Sequence, residues 1–195
     1  MSGSPPVVIY LHGFNSSPDA LKAQQLGDYL QQHHPRVDYR RPYIPGPPDQ
    51  AVASLSDMIT MLAGRRVCLV GSSLGGFYAS WLAARFDCLA VLVNPAVAAH
   101  RLLQSRLGQQ RNPYSGEQYE LTTAHMQTLQ SLCLEAPDDP RRFLLLVQMA
   151  DEVLDARAAL RYYRRCQCLI EPGGNHRFAG FQRHLPLICS WFELE

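Results

Sequence analysis

Two adjacent serines stand between glycines in Val-Cys-Leu-Val-Gly-Ser-Ser-Leu-Gly-Gly-Phe, residues 67–77. Only Ser73 is the middle of a G-x-S-x-G. A free hydroxyl is a poor nucleophile, so a base must take its proton as it attacks. It must also stand exposed on a sharp strand-to-helix turn, and small residues two before and two after relieve the crowding that such a turn creates. Gly71 and Gly75 hold those positions around Ser73, with a strand-like run before them and a helix-like run from Gly76. Ser72 is read as a neighbour that packs or hydrogen-bonds locally.

A serine of this kind needs a base, an acid and two amide donors for the developing oxyanion. The chain order expected is serine, acid, histidine. His100, His125, His176 and His184 follow Ser73. His100 and His125 fall in a long insertion and His184 in the last helical window. His176 ends Glu-Pro-Gly-Gly-Asn-His, a glycine loop after a strand, from which a ring can swing over Ser73. For the acid, Met149-Ala150-Asp151-Glu152-Val153-Leu154-Asp155 offers three carboxylates. Asp151 comes first after its strand and is favoured. Asp155 is suited to N-cap the helix from Ala156, and Glu152 is expected to be exposed. The acid would fix the imidazole tautomer and stabilise the imidazolium. The oxyanion donors expected are the N–H of Leu74 and, from His12-Gly13-Phe14-Asn15, that of Phe14. His12 precedes the glycine of that loop, so its expected task is to hold loop backbone.

The elements that must position these groups follow from hydrophobic pattern. Short apolar runs predict strands at Val7–Leu11, Val37–Arg40, Arg66–Val70, Leu89–Val93, Phe143–Met149 and Cys168–Glu171. Helices are predicted from Ser17-Pro18 to His34-Pro35, with Ser17 as N-cap and Pro18 at the first position. Others are predicted over Asp49–Ala63, Gly75–Arg85, Ala156–Arg164 and residues 181–193. Four prolines make residues 42–48 a turn-rich loop. Strands alternating with helices predict an α/β domain: a doubly wound, mostly parallel six-stranded sheet covered on both faces. If the first and third strands are neighbours, the loops carrying Phe14 and Ser73 meet where strand order reverses. Between Asn94 and Arg142 no convincing strand is visible, only helical windows. Residues 95–141 are therefore expected to form a helical cap or lid within a single domain spanning 1–195.

Composition narrows the function classes. The chain has 195 residues, 47% hydrophobic and 18% charged, with formal net charge +1; this is an ordinary globular balance. Basic residues occur as scattered arginine pairs, which argues against nucleic-acid binding. No run reaches membrane-spanning length, and no basic n-region precedes an apolar one at the start. The six cysteines lie largely in apolar stretches without a C-x-x-C pair. Cys166 and Cys168 are expected on opposite faces of a strand, unable to bridge. A reducing cytoplasm is the expected location. No His/Cys cluster has metal-ligand spacing, so neither metal nor cofactor is expected.

Taken together, His12-Gly13-Phe14-Asn15, Gly71-Ser72-Ser73-Leu74-Gly75-Gly76, Asp151-Glu152-Val153-Leu154-Asp155 and Gly173-Gly174-Asn175-His176 resemble the α/β-hydrolase superfamily. More narrowly, they resemble its small bacterial YqiA-type esterases, and Asn112-Pro113-Tyr114-Ser115-Gly116-Glu117 resembles that family's cap region. The resemblance implies a reduced sheet lacking the two N-terminal antiparallel strands of larger members. It implies ester hydrolysis, acyl-CoA thioesters included, on a small-molecule substrate, with Ser73 as nucleophile, His176 as base and Asp151 as acid. Ala150 stands where that pattern usually has glycine, which would tighten the turn. A non-catalytic protein of the same fold that binds a small ligand is the rival reading from another class.

Overall fold

The computed structural model describes residues 4–195. Its strands are β1 (Val7–Leu11), β2 (Asp38–Arg40), β3 (Val67–Ser72), β4 (Leu89–Val93), β5 (Gly108–Arg111), β6 (Gln118–Leu121), β7 (Phe143–Gln148) and β8 (Gln167–Glu171). The helices are α1 (Leu21–His33), α2 (Pro48–Thr60), α3 (Leu74–Phe86), α4 (Ala99–Leu103), α5 (Thr123–Ser131), α6 (Ala156–Tyr162) and α7 (Leu185–Trp191). Six strands form one sheet in the order β2-β1-β3-β4-β7-β8, and every pairing in it is parallel.

Strand periodicity divides the core between two faces. Val7, Ile9 and Leu11 of β1, Leu69 of β3, Leu92 of β4 and Leu145 of β7 face one layer, with α2, α3 and α6. Val8 and Tyr10, Val70, Val91 and Leu146 face the other, with α1 and α7. Successive side chains alternate across a pleated strand, so a strand buried on both faces must be apolar throughout. Leu11, Leu69, Leu92 and Leu145 have no exposed surface; such burial stabilises by roughly 1.5–3 kcal/mol per side chain. The strand order reverses between β1 and β3. Their register runs from Val7 opposite Val67 to Leu11 opposite Gly71, which brings the loops after both strands to one place.

Three boundaries differ from the sequence expectation. Helix α1 begins at Leu21, with Ala20 before it. Ser17 Oγ instead accepts the Asp19 N–H at 3.2 Å, closing a local turn at the place where the chain leaves the edge of the sheet. The last helical window is broken: Phe181–His184 is a 3-10 turn and α7 follows. Pro186 has no N–H to give to a carbonyl of the preceding turn, so one continuous α-helix cannot run through it. The segment between β4 and β7 carries α4 and α5 as expected, but between them lies an antiparallel hairpin, Gly108 opposite Leu121 through Arg111 opposite Gln118. Of its second strand only Tyr119 and Leu121 are buried, a period-two signal four residues long. Its first strand is polar throughout, so hydrophobic pattern could not reveal it.

The six cysteines are free thiols. Among the described residues, no helix is long and apolar enough to cross a membrane.

Candidate active site

The turn after β3 is tight because its glycines let two backbones touch. A Cβ on Gly75 would collide with the carbonyl oxygen of Leu11 and stand 2.5 Å from that of His12. One on Gly71 would strike the Gly75 carbonyl oxygen and lie 2.7 Å from Ala79 Cβ. Between them Ser73 is held at φ 57°, ψ −120°, a conformation that L-residues adopt only when the surroundings force it. Here the surroundings do: Ser73 N–H donates to Val93 O at 3.1 Å, and its carbonyl accepts from Gly76 at 3.0 Å and Ala96 at 3.1 Å. The result projects the hydroxyl from the carboxyl edge of the sheet at the start of α3.

The residues singled out from sequence meet there. His176 Nε2 lies 3.1 Å from Ser73 Oγ. On the far side of the ring, Nδ1 is 2.8 Å from Asp151 Oδ2 and 3.0 Å from Oδ1. A carboxylate only accepts, so Nδ1 carries the hydrogen. In the neutral ring Nε2 then presents its lone pair to the serine hydroxyl. The Asp151 side chain is 2% exposed and that of His176 is 20%. Burial opposes ionisation of Asp151. The hydrogen bond from His176 and those from the Leu154 and Val153 amides, at 2.9 and 2.8 Å, outweigh it and hold the carboxyl below its usual range. Asp155 faces elsewhere: its Oδ1 accepts the Arg157 N–H at 2.9 Å and caps α6. Glu152 is exposed and its Oε2 accepts the His176 backbone N–H at 2.9 Å.

The loop after β1 closes the site from the other side. A Cβ on Gly13 would sit 3.4 Å from Ser73 Cβ and 3.8 Å from its Oγ. Among the described residues, neither the Phe14 nor the Leu74 N–H donates to another backbone group. His12 is buried. Its Nδ1 donates to Gly13 O at 2.9 Å, and its Nε2 accepts from the Ile44 N–H at 3.2 Å. With one nitrogen donating and the other accepting, the ring is neutral, and burial lowers its pKa further in that direction. It ties the β1 loop to the proline loop. His184 pairs with Glu171 at 3.1 Å, His125 forms a reciprocal cap with Thr122, and His100 lies 3.4 Å from Cys133 Sγ. None of these three contacts Ser73.

Two further residues escaped the sequence reading. Asn94 is buried at φ 41° just past β4. Its Nδ2 donates to Asn175 O at 3.0 Å and to His176 O at 3.3 Å, while its Oδ1 accepts the Gln148 N–H at 2.9 Å. Gln148, 1% exposed at the end of β7, accepts the Asn175 and Ala179 amides at 3.0 and 2.9 Å and donates to Ala179 O at 2.8 Å. Together they fix the loop that carries His176. The available signal was a lone polar residue at the carboxyl end of an apolar strand, a position where an unpaired amide would be costly.

The hairpin leans on the same edge. Asn112 Nδ2 donates to Ser16 O at 2.9 Å, its Oδ1 accepts from Tyr114 and Ser115, and the Tyr119 hydroxyl donates to Asn15 Oδ1 at 2.9 Å. A cleft of about 370 Å³ is left over Ser73 and His176, walled by Phe14, Leu102 and Tyr114. A larger hollow of about 550 Å³ along α1 contains neither Ser73 nor His176. Among the described residues, no group of three or more His, Cys, Asp or Glu could hold a metal ion.

A family model described as "Uncharacterised protein family (UPF0227)" matches residues 7–193. The chain belongs to that family. Solved structures agree on the fold. Alpha/beta hydrolase domain-containing protein 10 from mouse matches at 18% identity and TM-score 0.73, covering 100% of this chain and 91% of the mouse one. Est1E from Butyrivibrio proteoclasticus matches at 17% and 0.69, over 98% of this chain and 87% of its own. The esterase domain of a Rhodothermus marinus protein matches at 14% and 0.66, over 96% and 87%. The UPF0227 chain is thus an α/β-hydrolase-type domain in fold, in keeping with the resemblance drawn from its motifs.

Proposed function

We propose that this protein is a serine hydrolase of carboxylic esters. The observation that carries the reading is the hydrogen-bonded line from Ser73 Oγ through His176 to Asp151, begun by a serine held in a strained turn. In this reading Ser73 Oγ attacks the ester carbonyl while His176 Nε2 takes its proton. Asp151 holds the ring's tautomer and offsets the imidazolium charge without itself being protonated. The Phe14 and Leu74 amides receive the oxyanion. His176 then gives its proton to the departing alcohol, leaving an acyl group on Ser73. Water, deprotonated by the same ring, releases the acid and restores the serine. Residues 95–141 act as a cap over this site within one domain, and set the acyl length accepted through Leu102 and Tyr114. The same triad serves a thioester, whose thiol leaves more readily than an alkoxide.

A fluorophosphonate probe tests the reading directly. It should label the wild-type protein at Ser73 and fail on a folded Ser73→Ala variant. That variant should also lose turnover of p-nitrophenyl butyrate. Wild-type protein that neither labels nor hydrolyses would return the chain to a ligand-binding role.

A further inference from the structure

The cleft over Ser73 has a charge that the catalytic groups do not use. The chain contains one lysine, Lys22, and it lines this cleft together with Arg106 and Arg177. No carboxylate lines it: Asp151 lies behind His176, and Glu152 caps the His176 amide from outside. Among the described residues none of the three cations forms an ion pair. They come from three separate places: α1, the 3-10 turn Gln104–Arg106 after α4, and the loop just past His176. Lys22 Nζ donates to Arg177 O at 2.8 Å, which fixes the ammonium at the cleft wall and leaves two of its hydrogens for another acceptor. Burial first, and then the Arg177 charge, pull the Lys22 ammonium down to about 8, against the opposing pull of the Asp151 carboxylate. A desolvated cation beside two more, in a chain of net charge +1, is a local arrangement that an arriving anion relieves without the ammonium giving up its proton.

We propose that the substrate carries a carboxylate or a phosphate seated against Lys22, Arg106 and Arg177, with its ester or thioester carbonyl at Ser73. This rests on the serine-hydrolase reading, and it adds a selection by charge. A bland aliphatic ester would leave three cations facing solvent or its own apolar chain. An anion would gain charge-assisted hydrogen bonds from both guanidinium and ammonium groups.

Two matched pairs separate the sources of the anion. The monoanion p-nitrophenyl hydrogen adipate against its neutral methyl ester places a carboxylate on the acyl side. S-butyryl-coenzyme A against S-butyryl-N-acetylcysteamine places phosphates on the leaving side. In at least one pair the anionic member should have the higher kcat/KM by roughly tenfold, the size of one charge-assisted hydrogen bond gained. That ratio should fall toward one in Arg106→Gln and Arg177→Gln, both of which alter exposed side chains, and should shrink with added salt. Equal or lower kcat/KM for both anions, or a preference untouched by the two substitutions, overturns the proposal. Calorimetry with adipic monoanilide and its N-methylamide, neither of which contains an ester, reads the same preference as binding. A protein that turns over no ester but prefers the free acid therefore breaks the hydrolase reading and keeps the anion site.

Discussion

The two walls of the cleft are built differently. One wall is the carboxyl edge of the sheet: the turn after β3, the loop after β7 and the loop of His176. Backbone contact defines it, down to glycines whose Cβ atoms would strike carbonyl oxygens. The other wall is the hairpin of residues 108–121 with the start of α1. Side chains hold it, through Asn112 to Ser16 and Tyr119 to Asn15; Lys22, and Arg106 just before the hairpin, line the cleft from this side, while Arg177 reaches it from the loop of His176. The difference teaches a division of labour. On the proposed serine-hydrolase reading, the first wall fixes atoms that must move a proton over a set distance, whereas the second meets the substrate and can vary without disturbing that distance. Changes on the first should therefore lower kcat, and changes on the second should act through KM and selectivity.

The largest effect is expected from Asp151→Asn. An amide cannot stabilise the imidazolium and favours the wrong tautomer at Nδ1, so kcat should fall by about 10⁴-fold, as in serine triads generally. Steady-state kinetics on a p-nitrophenyl ester reads this, with circular dichroism to check folding. A loss confined to KM would break the division between the walls. Gly75→Ala comes next. Its methyl must displace the Leu11 carbonyl, so stability should drop by more than about 3 kcal/mol, in the range of severe core overpacking. A denaturation midpoint close to wild type would show that the turn is less constrained than its contacts imply.

Gln148→Leu tests the residues behind the histidine loop. The substitution keeps volume but leaves the Asn175 and Ala179 amides unpaired, at about 1–3 kcal/mol for each buried group. Because Gln148 touches no reacting atom, the expected result is a lower kcat with little change in KM and a broadened pH profile of kcat. If only thermal stability changes, Gln148 is a strut for the fold alone. Asn112→Ala is the matching test across the cleft. It removes partners from Ser16 O and from the Tyr114 and Ser115 amides, so KM should rise several-fold, within the roughly 1–3 kcal/mol that such unpaired groups command. An equal fall in kcat would mean that the two walls are coupled.

The same division explains how much of this was legible beforehand. The apolar runs of β1, β3, β4 and β7 can only be central strands, and G-x-S-x-G carries its own steric reason, so the sheet and the place of Ser73 follow from local pattern. The placing of Asp151 and His176 beside Ser73 could be anticipated because each is the first suitable residue on a loop at the same sheet edge. The hairpin could not. Gly108–Arg111 has no hydrophobic face, and it is held by Asn112 and Tyr119 reaching residues about a hundred positions away. Asn94 and Gln148 were hidden for a related reason: an amide is written the same whether it is solvated on a loop or buried beneath a histidine. The start of α1 went astray because Ser17 makes the same side-chain bond in a turn as in a helix cap.

The smallest and most selective effect should come from pH. Lys22 is the cation of the second wall whose charge can be removed near neutrality, since its ammonium is held at about 8. Burial and Arg177 push it down, and Asp151 opposes them; Arg106, His176, Tyr10 and Tyr114 are the other titratable or charged groups lining the cleft. A lysine is cationic below its pKa, so any anion preference is fully present below about 8 and weakens as pH rises through that value. The arginines keep their charge throughout and should preserve part of it. The ratio of kcat/KM for p-nitrophenyl hydrogen adipate over its methyl ester cancels whatever pH dependence the shared chemical step has for both substrates. That ratio should fall a few-fold across the step in wild type and stay flat in Lys22→Gln. A ratio that declines equally in the variant would assign the step to another group and leave Lys22 only its tie to the Arg177 carbonyl.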